Sequence, residues 1–215
     1  MKNKKLFIFI IVNLIIAISC FGKYNEDSLK KDASLLEEVI SKCKVGIMKK
    51  NDSNCILARK IQQDLAKEGW EKNKKIIIDK LIESGKNLEE RKYETMFDLW
   101  SPELLYNAAE NAGVGVEEFK KGIIDYMNGN APKKAKVTRD FNSAKPGRTT
   151  KGRTYVRIPL VFDNEVDGQH IITRRETLAF EDKGKWYAIN LDRVSLPVIK
   201  QTYPDFEELE LVYPD

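Results

Sequence analysis

The sequence predicts an α+β protein, with helices first and an antiparallel sheet after them. From Leu29 to about Met127 apolar residues recur at helical three- and four-residue spacing. After the stretch NGNAPK at residues 128–133 they recur at every second position, as in half-buried strands. The strand-like runs are joined by short polar turns, which suits antiparallel neighbours, and helices grouped ahead of strands give α+β rather than alternating α/β order.

The chain begins MKNKK, three lysines ahead of an apolar run from Leu6 to Ile18 that only Asn13 interrupts. Such a run is shorter than the roughly 18 to 20 residues a spanning helix needs, so it reads as an export signal. Ala17, Ile18 and Ser19 lead into Cys20, and this combination resembles the lipobox of bacterial lipoproteins, in which small residues precede a cysteine that is acylated. The resemblance implies removal of residues 1–19 and attachment of lipid to Cys20. The alternatives are ordinary secretory cleavage nearby and an uncleaved anchor. Each buried methylene of an acyl chain contributes about 0.8 kcal/mol, so several chains would hold the protein at a bacterial cell membrane or outer membrane, tethered on the extracytoplasmic side.

Loss of Lys2, Lys4 and Lys5 with the signal reduces 37 basic residues to 34 against 33 acidic, so the formal net charge of +4 is mostly an export device. A balanced chain without a basic block lacks the electrostatic footprint of a nucleic-acid binder.

Residues 20–28, running on from Cys20 through FGKYNEDS, form a polar tether, and residues 29–54 hold a first helix and a loop. Leu36, Ile40, Cys43 and Ile47 make that helix's stripe, widened by Leu35 and Val39. Cys43 and Cys55 flank a loop in which Gly46 can end one helix and NDSN can cap the next. In an exported chain these two thiols either form a short-loop disulfide or remain as separate thiols on helix faces.

A second helix is expected from about Cys55 to Lys67 on Leu57, Ile61 and Leu65, with Gly69 as its stop. A third follows from Trp70 to Glu83 on Ile77, Ile78, Leu81 and Ile82, with ESGKN as a turn. Three short helices come next. Tyr93, Met96, Phe97 and Trp100 share a face. Ser101 and Pro102 supply an N-cap and a first helical residue for Leu104, Leu105 and Ala108, which Gly113 ends. Glu117 and Glu118 suit the start of a helix whose stripe is Phe119, Ile123, Tyr126 and Met127.

Ala135, Val137 and Phe141 alternate in a first strand, and Thr154 to Phe162 in a second. DNEVDG turns into QHIITRRETLAFE, and DKGK turns into WYAINLD. Pro159 cannot donate to a ladder and argues for a bulge or an edge. SAKPGRTTKGR, 143–153, reads as a mobile hairpin loop that could touch anionic lipid headgroups. Residues 196–215 form an acidic tail that either adds an edge strand, packs down or hangs free.

The order of short helices and then long strands, ending in DKGKWYAINLD, resembles the NTF2-like (cystatin-like) α+β cone over residues 55–195. The resemblance implies a curved sheet wrapped around helices, a pocket at the open end and dimerisation through the sheet's outer face. The family holds binding modules, assembly domains and enzymes such as isomerases and dehydratases, so the fold does not select a function.

Period two places His170, Ile172, Arg174, Glu176, Leu178 and Phe180 on one strand face. Arg174 and Glu176 are then either an ion pair in a wet cavity, able to recognise a polar or anionic ligand, or the sign of a register break that leaves both in water. The aromatic stripe serves either the core or a ligand cage, with Trp100 and Tyr126 as candidates for the cage. His170, the only histidine, could act as a general base with Glu176 or Asp192, although it follows the polar turn DGQ. GVG at 113–115 lacks the context of a dinucleotide fingerprint, KPGRTTKGR lacks a phosphate-loop ending, and metal-ligand spacing is absent, so neither cofactor nor metal is expected.

Two functions are therefore expected. The first is a membrane-tethered, noncatalytic binding or assembly module of the cell envelope, with an envelope protein or a second copy as partner and no nucleic acid. The second is an NTF2-like enzyme that moves a proton through His170, Glu176 or Asp192.

Overall fold

The computed structural model describes residues 24–132, 134–166 and 168–213; the expected export signal, Cys20 and the start of the expected tether lie outside the described residues. The chain divides into two compact units, the first ending at Leu65 and the second beginning at Ala66.

In the first unit α1, Glu26–Lys31, starts with a reciprocal cap between Asn25 and Ser28. The Asp32 carboxylate then accepts from the Leu35 amide and opens α2, Ala33–Lys44. The α2 stripe of Leu36, Val39, Ile40 and Cys43 packs with Leu29 against Cys55, Ala58 and Ile61 of the next helix. Cys43 and Cys55 are joined by a disulfide, with their Cα atoms 5.8 Å apart.

That next helix, α3, runs without a break from Ser53 to Glu89. The separate helices expected at 55–67 and 70–83 are one, and neither Gly69 nor ESGKN interrupts it. Gly69 is there for proximity: a Cβ on it would stand 2.9 Å from Thr154 Cγ2. Gly85 does the same beside Arg139, whose Nη1 would lie 3.2 Å from an added Cβ. Both glycines let strands approach the helix backbone.

After a 3-10 helix at Tyr93–Leu99, Ser101 caps α4, Pro102–Asn111, by accepting from the Leu104 amide, and Pro102 opens it. Helix α5, Val116–Asn130, follows from Gly115 and buries none of its side chains. The strands are β1, Lys134–Arg139; β2, Lys145–Arg148; β3, Thr154–Val166; β4, Gln169–Asp182; and β5, Lys185–Leu191. They form one curled antiparallel sheet, a half-barrel in the order β1-β3-β4-β5, with β2 also on β3. Helices followed by such a sheet make the fold α+β, the class that the change of period indicates. The chain then forms α6, Ser195–Thr202, and a 3-10 turn at Pro204–Phe206.

β1 ends at Arg139 because Asp140 accepts from the amides of Asn142 and Ser143 and folds Phe141–Ser143 into a 3-10 turn. Phe141 is therefore not in the first strand. β1 pairs with Leu160–Glu165 and β2 with Thr154–Arg157, which leaves Pro159 opposite the gap between them. The Pro159 carbonyl accepts from the Asp140 amide, so its missing donor faces that same gap, and no bulge forms. The β3–β4 ladder keeps one register from Tyr155↔Phe180 to Val166↔Gln169.

Helical layers cover both sheet faces. Trp70, Ile77 and Leu81 of α3 pack on Val156, Ile158, Ala179 and Ala188. On the opposite face Leu178, Phe180, Ile189 and Leu191 are covered by Leu104, Ile199, Tyr203, Phe206 and Leu209. Each large apolar side chain so buried contributes about 1.5–3 kcal/mol. Ile199, Tyr203, Phe206 and Leu209 thus belong to the core, and the packing continues across the boundary expected at 195. The tail adds no strand: Leu209 is buried and the Glu210 carbonyl accepts from Arg157.

The loop expected to be mobile is pinned. Arg153 donates to Asp205 at 2.9 Å, to Asp182 at 2.7 Å and to the Glu181 carbonyl, and its guanidinium stacks 4.5 Å from the Tyr203 ring centroid. Tyr203 donates to Ser101, and burial pushes its phenol up to about 12.

Candidate functional site

Helix α5 is amphipathic yet buries nothing because its apolar stripe borders a cleft. Phe119 and Ile123 form one wall, Met96 and Trp100 another, and Ala108, Ala112, Ile189 and Val198 the floor and sides. The cleft encloses about 460 Å³, within the range of small-molecule pockets. Phe97, Trp100 and Phe119 hold one another in a triangle with ring centroids 5.7 to 6.5 Å apart, which fixes the aromatic wall.

The polar groups at the rim are committed elsewhere. Asp192 Oδ1 accepts from the amides of Val194 and Ser195 and starts α6, while Oδ2 accepts from Arg175 Nη1 at 2.7 Å. Ser195 donates to the Asn190 carbonyl, and the Asn190 side chain accepts from Thr177. Asn111 donates to Gln201 at 2.8 Å. With these groups occupied, the cleft offers apolar shape and an indole edge rather than a reactive group.

Of the residues singled out from sequence, Trp100 lines the cleft, and Asp192 lies at its rim as a capping anion. Tyr126 is 64% exposed and stands outside it. Arg174 is exposed on β4, beyond the end of the β4–β5 ladder at Glu176↔Leu191. Glu176 is buried, but its partner is Arg157, which reaches Oε2 from Nη2 and, at 2.8 Å, from Nε. Arg174 and Glu176 do not pair, because β3 sets Arg157 on the same face as Glu176, next to the tail that covers it. No register break is involved.

His170 lies at the turn end of the β3–β4 hairpin, exposed, with Nδ1 2.7 Å from Asp163 Oδ1. His170, Glu176 and Asp192 therefore each have a different partner and do not form a proton-transfer group. Among the described residues no three His, Cys, Asp or Glu side chains gather as metal ligands, and no helix is long and apolar enough to cross a membrane.

Ala112 and Val198 carry no wall signal in the sequence, and Met96 is legible only as part of a helix face. Phe119 and Ile123 were visible only as a helix stripe, and their role in a cleft required knowing that α5 packs incompletely. No protein-family model matches the chain, and no curated protein or solved structure matches it.

Proposed function

We propose that this protein is a membrane-tethered, noncatalytic binding module of the bacterial cell envelope. It is anchored through lipid on Cys20 and takes an apolar ligand or an apolar segment of an envelope partner into the cleft beside Trp100. The observation that carries the reading is an apolar cleft whose rim groups are all engaged in holding the fold. Such a site gains free energy by removing apolar surface from water and has no free acid or base for turnover. The basic stretch, apolar run and cysteine at the start of the chain support the tether.

The NTF2-like reading is supported by the order of helices and curled sheet, with a second helical cover added. The same covers close the sheet faces, so a second copy would find exposed apolar surface mainly at Val166, Ile171 and Ile172 of the hairpin end. The enzyme alternative would need His170, Glu176 and Asp192 to meet.

Photo-crosslinking of the full chain in membranes with a diazirine-bearing alkyl probe, followed by peptide mapping, tests the cleft. Labelling should concentrate on the Met96–Trp100 and Phe119–Ile123 peptides and fall at least about tenfold in Ala112→Trp, whose indole would fill the cleft. Diffuse labelling unaffected by that substitution would sink the reading. Intact-mass analysis of membrane-extracted protein should show an acyl increment that Cys20→Ala lacks.

A further inference from the structure

Arg139 ends β1 on the face turned towards α3. Its Nη1 donates to the Leu81 carbonyl at 2.8 Å and its Nε to Thr177 Oγ1 at 3.2 Å. Both acceptors are neutral, and Arg139 has no carboxylate partner among the described residues. Its nearest acid within the groove, Glu89, is turned to the Val137 amide, which donates to Oε1 at 2.8 Å. Arg153, Arg157 and Arg175, by contrast, each hold a carboxylate. Burial pulls the Arg139 pKa below the usual guanidinium value, and no neighbouring charge offsets it.

The two protein acceptors leave Nη2 without a protein partner among the described residues. No buried side-chain nitrogen or oxygen lacks one, so Nη2 is in contact with solvent. Arg139 lines a groove of about 240 Å³ between α3 and β1, with Ile82, Gly85, Lys86, Glu89, Val137 and Phe141 among its walls. This groove is lined by none of the residues of the Trp100 cleft. Gly85 is what admits the guanidinium to the helix backbone. A desolvated cation held in place by two neutral hydrogen bonds, with one nitrogen in contact with solvent, is a fixed donor for a carboxylate.

We propose that this groove binds a small organic carboxylate, with Arg139 Nη2 donating to the carboxylate and Ile82, Val137 and Phe141 contacting the ligand's apolar part. The volume falls below the roughly 300–1,000 Å³ of pockets for drug-sized ligands, so the ligand is short. Lys86, whose Nζ is 3.7 Å from Glu90, adds positive charge at the mouth.

The test is a titration of the full chain in lipid nanodiscs with benzoate, benzamide and inorganic phosphate, followed by the Arg139 Nε–H resonance. Benzoate should shift it saturably in the millimolar range or below, while neutral benzamide leaves it in place. Arg139→Lys keeps the charge without the fork and should weaken binding at least about tenfold. Ile82, 58% exposed, can be changed without disturbing the core. Ile82→Glu places a carboxylate at the groove and should abolish the benzoate response while the resonance dispersion of the sheet stays native. No saturable shift, an equal response to benzamide, a response to phosphate as strong as to benzoate, or undiminished benzoate binding in Ile82→Glu would each overturn the proposal.

Discussion

His170 shows how a residue that invites a catalytic reading can be accounted for by its neighbour. The hydrogen bond to Asp163, and then that residue's charge, raise the imidazole pKa above its ordinary 6.5. A raised folded-state value means that the pair's contribution is fully present below the unfolded pKa and disappears as pH rises through the folded one. Because the chain has a single histidine, one ring signal reports the pair. An NMR pH titration should place its midpoint above the ordinary value, and Asp163→Asn should return it. A midpoint that does not move in the variant would show that the contact is not made in solution. The same scale explains why the expected Arg174 pair fails: alternation fixes which face a side chain takes, not how far along the strand the covering layer extends. Past Glu176 that layer has ended, so Arg174 and Ile172 share a face with Phe180 yet stand in water.

At the level of elements, the change of period was fully legible, and it located the helix-to-sheet transition and the antiparallel pairing. What local reading could not supply was the reason for certain glycines and prolines. Gly69 looked like a stop signal, but its cause is Thr154, 85 positions away in the chain. Pro159 indicated an edge, and the edge is a gap between two partners of one strand, a feature visible only once β1 and β2 share β3. The cleft is half legible: Trp100, Asp192 and the stripe of α5 can be read, but the rim cannot, because Asp192 is committed to starting a helix, Ser195–Thr202, that begins where the sequence reads as tail. Arg139 is in phase with Ala135 and Val137, but nothing local sets it apart from the lysines around it. Gly69→Ala tests the close-approach account. Alanine's helix propensity offers up to about 1 kcal/mol, yet the contact with Thr154 should make the variant less stable by about 1 kcal/mol. Adding Thr154→Ser removes the clashing methyl and should show a coupling of at least about 0.5 kcal/mol in denaturant unfolding. Strict additivity would mean that Gly69 is not there for proximity.

On the scale of the whole molecule, the two units rest on different supports. The first has a small core from Leu29 to Ile61 and a disulfide, whereas the second has two cores on opposite faces of one sheet. Small cores depend on cross-links more than large ones do. Cys43→Ser/Cys55→Ser should therefore cost the first unit about 3 kcal/mol, read as lost hydrogen-exchange protection across residues 24–65. Protection of β3–β5 should be unchanged; an equal loss in both units would mean that they unfold as one.

The wall formed by Ile199, Tyr203, Phe206 and Leu209 is made after the entire sheet during synthesis. Until those residues emerge, that apolar face of β4 and β5 has little beyond Leu104 of α4 to rest against, and the nascent chain presents it to chaperones or to other nascent chains. Stop codons between residues 191 and 199 would thus yield sheet-complete but aggregation-prone fragments, so quality control of this protein turns on the segment that follows its strands rather than on the strands themselves.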